Sequence, residues 1–250
     1  LRNADIGLAL GSGTEVAKEA SDIILLNNSF SIIVSAIREG RRVLDNLKKI
    51  VAYLLSTSFS EIALVAAAIV AGTPIPLLPT QILWTNIIEE GFMNFSFAFE
   101  PAERNIMKRD PRDGASKNIL TPALKKLIVL IAAITGVLLV VLYFFLLYLE
   151  IPAKEMRTIM FTAVSIDSIF FAFSIKNLHR PIWQINLFSN RYLIIALLVS
   201  FAALLVALTT PALQTLLSLA PPSKAIFLAL LGLGILNLMT IEAAKYFVFE

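Results

Sequence analysis

Residues Ile82 to Phe92 read ILWTNIIEEGF, and this apolar run carries Asn86, Glu89 and Glu90 at i, i+3 and i+4. On an α-helix that spacing places one amide and two carboxylates on a single stripe about 100° wide. Upstream, in LLSTSFSEI, Thr57 and Ser58 precede Glu61 by four and three residues and share its helical face. Carboxylate, amide carbonyl and hydroxyl oxygens are the ligands that suit hard cations such as Ca²⁺, Mg²⁺ and Mn²⁺, and the same groups can carry protons or bind Na⁺ or K⁺. Asp167 and Ser168, in AVSIDSIFF, are placed to add a ligand from a further helix, and Asp167 reads equally as a satisfied structural carboxylate. Thr57 and Ser58 have their own alternative, since hydroxyls within helices commonly bond back to the preceding turn.

The remaining chemistry is narrow. The 250 residues include no cysteine and one histidine, His179, which excludes thiolate metal sites, a histidine-ligated zinc and a histidine-based triad. The formal charge of +3 gives no argument for nucleic acid as a partner. With 58% hydrophobic residues, 16% charged residues and a mean hydropathy of +0.81, the composition is that of a membrane protein, and its expected partner is the lipid bilayer. The first residues show no signal peptide, and the absence of an initial Met suggests a piece of a longer chain.

The carboxylates therefore need membrane helices to hold them. Six segments are long and apolar enough to cross a hydrocarbon core about 30 Å thick, which takes about 20 helical residues. They lie near 50–72, 78–98, 124–149, 157–175, 191–210 and 225–245, and Pro74, Pro76, Pro79, Pro101, Pro111, Pro152, Pro181, Pro211, Pro221 and Pro222 mark the connectors. The first two spans form a hairpin. Glu61 and Glu89 are each roughly 15–16 Å from its turn at 1.5 Å rise per residue, so they meet near mid-membrane. A burial of this kind costs about 2.5–3.5 kcal/mol per ionisable group and marks an ion path or a bundle interior. A misplaced span with the glutamates at the surface is disfavoured, because the apolar FMNFSFAF continues beyond them up to Glu100. Glu242, close to the end of the last span, is expected to snorkel.

Residues 1–48 are soluble in character. IGLAL (Ile6 to Leu10) predicts a strand, GSG a tight turn, TEVAKEASD a short helix capped by Thr14, and IILL (Ile23 to Leu26) a second strand. An amphipathic helix or helix pair follows, with a break predicted near Gly40. The 21 lysines and arginines divide 18 to 3 between the two sides of a six-span topology, only Lys154, Arg157 and Lys224 falling on the minor side. The positive-inside rule then puts both termini in the cytoplasm.

Three stretches together carry a specific resemblance: LRNADIGLALGSGTEVAKEASDIILLNNSFSIIVSAIREGRRVLDNLKKIVAYLLSTSFSEI, LPTQILWTNIIEEG and FEPAERNIMKRDPR. They resemble the C-terminal part of P-type cation-transporting ATPases of the type that includes the calcium pumps. The likeness is close through the soluble segment, the first two spans and the loop after them, and the last four spans match in number and spacing. The resemblance implies that residues 1–30 are the tail of a phosphorylation domain of haloacid-dehalogenase type, an α/β domain. Residues 31–49 would be a stalk helix and 50–250 a six-helix membrane domain, so the fold class is mainly α and polytopic. In the family the GSG turn is mostly structural, so Gly11 and Gly13 are assigned no ligand.

Carried over position by position, Asn86 falls on the family's sixth-helix asparagine, Glu90 on its nearly universal acidic ligand and Glu61 on the fifth-helix glutamate of calcium pumps. Glu89 stands where the family has a neutral residue, commonly threonine, and Ser58 where calcium pumps have asparagine. The eighth-helix ligand position falls at Ser168 or its neighbour Asp167. The implied cargo is Ca²⁺ first, with Mn²⁺, Na⁺ and H⁺ open. The phosphorylated aspartate, the nucleotide site and the residues that hold ATP and Mg²⁺ would lie in an N-terminal half outside this chain, and alone the chain is expected not to hydrolyse ATP. A gradient-driven secondary cation transporter or channel is the competing expectation, and a purely structural membrane subunit leaves the intramembrane acids unexplained.

Overall fold

In the computed structural model, residues 1–26, 29–103, 105–110 and 118–249 are described, and they divide into two units. Pro111, expected to mark a connector, lies outside the described residues.

The first unit comprises Leu1–Val43 with the described residues of 102–111. Strand β1 (Leu8–Leu10) pairs in parallel with β2 (Ile23–Leu25), Leu8 opposite Ile23, and helix α1 (Glu15–Glu19) crosses between them. The strand–turn–helix–strand order is that expected, because the turn chemistry is local: the Thr14 hydroxyl accepts from the Ala17 N–H at 3.3 Å and caps α1. Gly11 donates to the Leu25 carbonyl at 2.8 Å, and a Cβ there would sit 2.8 Å from the Leu26 carbonyl oxygen, so the glycine is required by close backbone packing. Arg41 donates to the carbonyls of Ile106 and Arg109 at 2.8 and 3.1 Å.

Helix α2 (Phe30–Val70) is a single 41-residue helix. The break expected at Gly40 does not occur. A lone glycine in a helix costs only about 1 kcal/mol relative to alanine, and good helix formers surround it.

The second unit comprises Leu44–Pro101 with the described residues of 112–250. At its hairpin, α2 ends in a Schellman motif: Gly72, at φ +64°, donates to the Ile69 carbonyl and Thr73 to that of Ala68. Helix α3 (Pro79–Trp84) begins on a proline, with the Gln81 side chain accepting from the Leu78 N–H at 2.9 Å. A π-helical segment (Thr85–Glu89) and α4 (Glu90–Phe97) follow without interruption. Next come α5 (Pro122–Tyr148), α6 (Ala153–Ile175), α7 (Arg191–Thr209), the short α8 (Pro211–Leu216) and α9 (Lys224–Phe249).

Five of these, α2, α5, α6, α7 and α9, are long and apolar enough among the described residues to cross a membrane. The second expected span is instead the composite of α3, π segment and α4. Helix α6, expected as the shortest span, lies at the centre: 89% of its most apolar window is buried within the chain, against 33–44% for the other four. It packs on α9, α5, α7 and the π segment. Two apolar clusters fill the unit. One gathers Leu64, Ala68, Leu139, Tyr143, Met156 and Met160, and the other Ala52, Tyr53, Met93, Phe97, Ile131 and Phe171.

Candidate functional site

Between the two apolar clusters lies a polar layer. Along α2 the clusters are separated by buried Ser56, Thr57, Ser60 and Glu61; along the hairpin's second limb by Thr85, Glu89 and Glu90; along α6 by Ser165, Asp167 and Ser168. Glu61, Glu89 and Glu90 are 6%, 0% and 1% exposed, so none of the three carboxylates lies on the outside of the bundle.

Glu90, the first residue of α4, is held from two sides. Thr57 of α2 donates to its Oε2 at 3.0 Å and Ser168 of α6 to its Oε1 at 2.8 Å. The Thr57 hydroxyl is also within reach of the Tyr53 and Leu54 carbonyls at 3.1 and 3.2 Å, so the back-bonding expected of it and the contact with the site coexist around one proton. Glu61 lies near enough to Glu90 for their charges to act on each other, and Asn86 is the side chain that reaches Glu61. Glu61 Oε1 is buried without a hydrogen-bond donor. Ser58 is half-buried on the same stretch of α2.

The single stripe of Asn86, Glu89 and Glu90 is not what forms. The Glu90 N–H bonds to the Thr85 carbonyl, five residues back, and this wider turn shifts the angular position of each side chain from the α-helical one. Asn86 is exposed, while the two glutamates are buried and face different neighbours. Glu89 has the Ser165 hydroxyl and the Trp84 N–H beside it. Its backbone carbonyl accepts from Ser200 of α7 at 2.8 Å. Asp167 and Ser168 also diverge. Ser168 reaches Glu90, whereas Asp167 accepts from Asn237 of α9, which also donates to Thr135 of α5 at 2.9 Å. Among the described residues no three histidine, cysteine or acidic side chains converge as a metal cluster; the buried oxygens gathered around Glu61 and Glu90 belong to two carboxylates and to neighbouring amide and hydroxyl groups.

Several supporting residues escaped the sequence. Tyr53 is fully buried, donates to the Ser168 carbonyl at 3.1 Å and stacks on Phe171 at 5.4 Å between centroids. Its position four residues before Thr57, on the same face, was the available signal. Ser165, Ser200 and Asn237 carried none, because their contacts are with distant helices. Glu242 does not snorkel: it is 1% exposed, accepts from Ser174 and from the Ile182 N–H at 2.9 Å, and pairs with buried Lys245 at 2.7 Å. A lysine one turn away and two further donors make an interior carboxylate cheaper than one stretched toward the surface. A second buried pair, Lys176 and Glu100 at 2.6 Å, is joined by Asn190, which donates to the other Glu100 oxygen at 2.9 Å.

A bundle of apolar helices enclosing paired carboxylates at the level where its hydrophobic packing divides is the architecture of a polytopic membrane domain. Residues 74–247 match the family described as Cation transporting ATPase, C-terminus, and the chain belongs to it. It is 36% identical over 226 residues to Probable cation-transporting ATPase F of Mycobacterium tuberculosis (strain ATCC 25618 / H37Rv), covering 88% of this chain and 24% of that protein. Calcium-transporting ATPase 1 of Yarrowia lipolytica is 34% identical over 248 residues, covering 99% of this chain and 27% of that protein. Calcium-transporting ATPase type 2C member 2 of Rattus norvegicus is 34% identical over 240 residues, covering 94% and 25%. The chain thus spans about a quarter of the length of the curated relatives it matches. It is an integral membrane domain of the P-type pump family, and this membership does not favour a gradient-driven carrier.

Proposed function

We propose that this chain is the part of an ATP-driven cation pump that binds the transported ion within the membrane, with Ca²⁺ as the favoured cargo. The observation that carries the reading is the Glu61–Glu90 pair, buried together and flanked by Thr57, Ser168 and Asn86. Two carboxylates balance a divalent charge. Their four oxygens, with the Asn86 carbonyl and the Thr57 and Ser168 hydroxyls, approach the six to eight oxygens that Ca²⁺ takes. The names of the relatives from Yarrowia and rat support calcium as the first ion to test.

On this reading the composite of α3, π segment and α4 is a membrane crossing, the second of six in this chain, and both termini are cytoplasmic, a placement that the 18 to 3 division of basic residues supports. The first unit is the end of a phosphorylation domain of haloacid-dehalogenase type. Phosphorylation, ATP binding and the catalytic Mg²⁺ belong to residues outside this chain, which by itself is inactive as an ATPase. Helix α2 passes without a break from the first unit to Glu61, so that a displacement at its soluble end is delivered to a ligand. Transport requires the ion's binding free energy to differ between two conformations, and moving Glu61 relative to Glu90 changes it directly. Glu90→Gln in the full-length protein is expected to abolish Ca²⁺-dependent phosphorylation from ATP. Wild-type phosphorylation in that variant rules Glu90 out as a ligand.

A further inference from the structure

Between α6 and α7 the chain runs through residues 176–190 with only the short 3₁₀ turn Ile182–Gln184, and this connection is fixed from within the bundle. The Ile182 N–H donates to Glu242 at 2.9 Å, and Lys245 donates to the Asn177 carbonyl at 3.0 Å. The Asn177 side chain accepts from the His179 and Arg180 N–H groups at 2.9 and 2.8 Å, and Asn190, at the far end, donates to the Ser96 carbonyl and to Glu100, both at 2.9 Å. Glu242 lies seven residues before Phe249, the last of α9, so the connection is bonded about 10 Å inside the end of that helix and runs alongside it. Held at that depth, it turns large rings outward: Trp183 is 65% and Phe188 77% exposed. Tyr192, in the first turn of α7, packs on Phe99 at 4.6 Å between centroids, with the Arg191 guanidinium 5.1 Å from the centre of its ring. Arg180 and Arg191 are exposed, and among the described residues neither pairs with a carboxylate. The sequence has no Asp or Glu from Ser168 to Ile241. Two acids reach this connection from other elements, Glu100 and Glu242, and both are buried and paired with Lys176 and Lys245.

We propose that the α6–α7 connection is a docking surface for anionic phospholipid of the surrounding bilayer, with Arg180 and Arg191 on headgroup phosphates and Trp183 and Phe188 against the upper acyl chains. The inference goes beyond the cation reading and needs only the membrane placement of the helices; on the topology proposed above, the leaflet is the cytoplasmic one. Aromatic rings at the ends of membrane helices are favoured at the headgroup level, where an apolar body meets lipid and a polar edge meets water. The planar arginine fork matches phosphate oxygens in pairs and keeps its charge at any working pH. A phosphatidylcholine headgroup brings an ammonium together with its phosphate, and a stretch without a carboxylate offers that ammonium no partner. A headgroup of net negative charge therefore suits this surface better than a zwitterionic one. Because the Glu242, Lys245 and Asn190 bonds fix the backbone beforehand, little ordering is left for the lipid to impose.

The test reconstitutes the full-length protein in phosphatidylcholine nanodiscs that contain a minor fraction of lipid brominated on its acyl chains, either phosphatidylglycerol or phosphatidylcholine. It follows quenching of the fluorescence that Trp183→Phe removes. The expected result is that brominated phosphatidylglycerol quenches this signal at a lower mole fraction than brominated phosphatidylcholine. Arg180→Gln and Arg191→Gln each lower the preference by about two- to fivefold, and the double variant abolishes it. Lys224→Gln, at the opposite end of α9, leaves it unchanged. All four substituted residues are exposed, so each variant keeps the wild-type unfolding midpoint. Equal quenching by the two lipids, no Trp183-dependent quenching, or a preference retained in the double variant overturns the proposal. So does a preference lowered as far by Lys224→Gln, or quenching relieved by inorganic phosphate against a chloride control of equal ionic strength. Neither Ca²⁺ nor ATP is present, so this result is independent of the cation site, which the Glu90→Gln phosphorylation assay judges alone.

Discussion

Ser168 donates to Glu90 across the boundary between α6 and α4 at 2.8 Å, while its neighbour Asp167 points away to Asn237. One residue of helical rotation, about 100°, separates a side chain that reaches Glu90, in the proposed cation site, from one in a structural tie among α5, α6 and α9. The two residues that the sequence left as alternatives thus have different jobs, and their substitutions should separate them. Ser168→Ala is expected to weaken Ca²⁺ binding by about three- to tenfold, the size of one lost ligand or hydrogen bond. Asp167→Asn keeps a partner for Asn237 and is expected to change Ca²⁺ affinity by less than about twofold. Equilibrium binding of ⁴⁵Ca²⁺ to both variants of the full-length protein checks the pair, and reversed sensitivities would transfer the ligand role to Asp167.

Tyr53 holds the Ser168 carbonyl from beneath the site. Tyr53→Phe keeps the ring stacked on Phe171 and removes only the hydroxyl, leaving a buried carbonyl short of a donor. A loss of about 1–2 kcal/mol is expected, read as a lower thermal unfolding midpoint in detergent. Tyr53→Ala, which also empties a fully buried aromatic volume, should cost about 3–5 kcal/mol.

Lys245 and Glu242 form a buried pair one turn apart on α9. Replacing one partner strands the other's charge, so Lys245→Met or Glu242→Gln alone should destabilise by about 3–5 kcal/mol. The double variant removes both charges and is expected to recover much of that loss. Unfolding of the four proteins in a double-mutant cycle measures the recovery, and additive losses would mean that the pair does not act as a unit.

Gly72 turns the hairpin that sets Glu61 against Glu90. At φ +64° it is in the left-handed region, where a side chain costs about 1–2 kcal/mol. No atom lies within 4 Å of an added Cβ, so Gly72→Ala should cost that amount through backbone strain alone. The measurement is again the unfolding midpoint, with Gly40→Ala as the contrast. Gly40, also in open space but mid-helix in α2, is expected to gain stability by a few tenths to about 1 kcal/mol.

The sequence by itself determined what period, composition and local turn chemistry determine. Apolar stretches of membrane-crossing length mark α2, α5, α6, α7 and α9; glycine at 72 and proline at 79 mark the hairpin; Thr14 caps α1; and ionisable residues inside apolar runs single out Glu61, Glu89 and Glu90, all of them buried. Each of these depends on residues within a few positions of one another, so it survives without knowledge of the fold. Tertiary structure decided the rest. Residues 85–89 look α-helical in sequence, and whether one hydrogen bond skips a residue depends on packing against α6 and α7, which no local propensity encodes. That wider turn changes where Asn86 and Thr85 lie relative to Glu89 and Glu90. Contacts such as Ser168 with Glu90, Ser200 with the Glu89 carbonyl and Asn237 with Asp167 join residues 70 to 111 positions apart, and helix rotation set by packing alone chooses which of two neighbouring side chains faces Glu90.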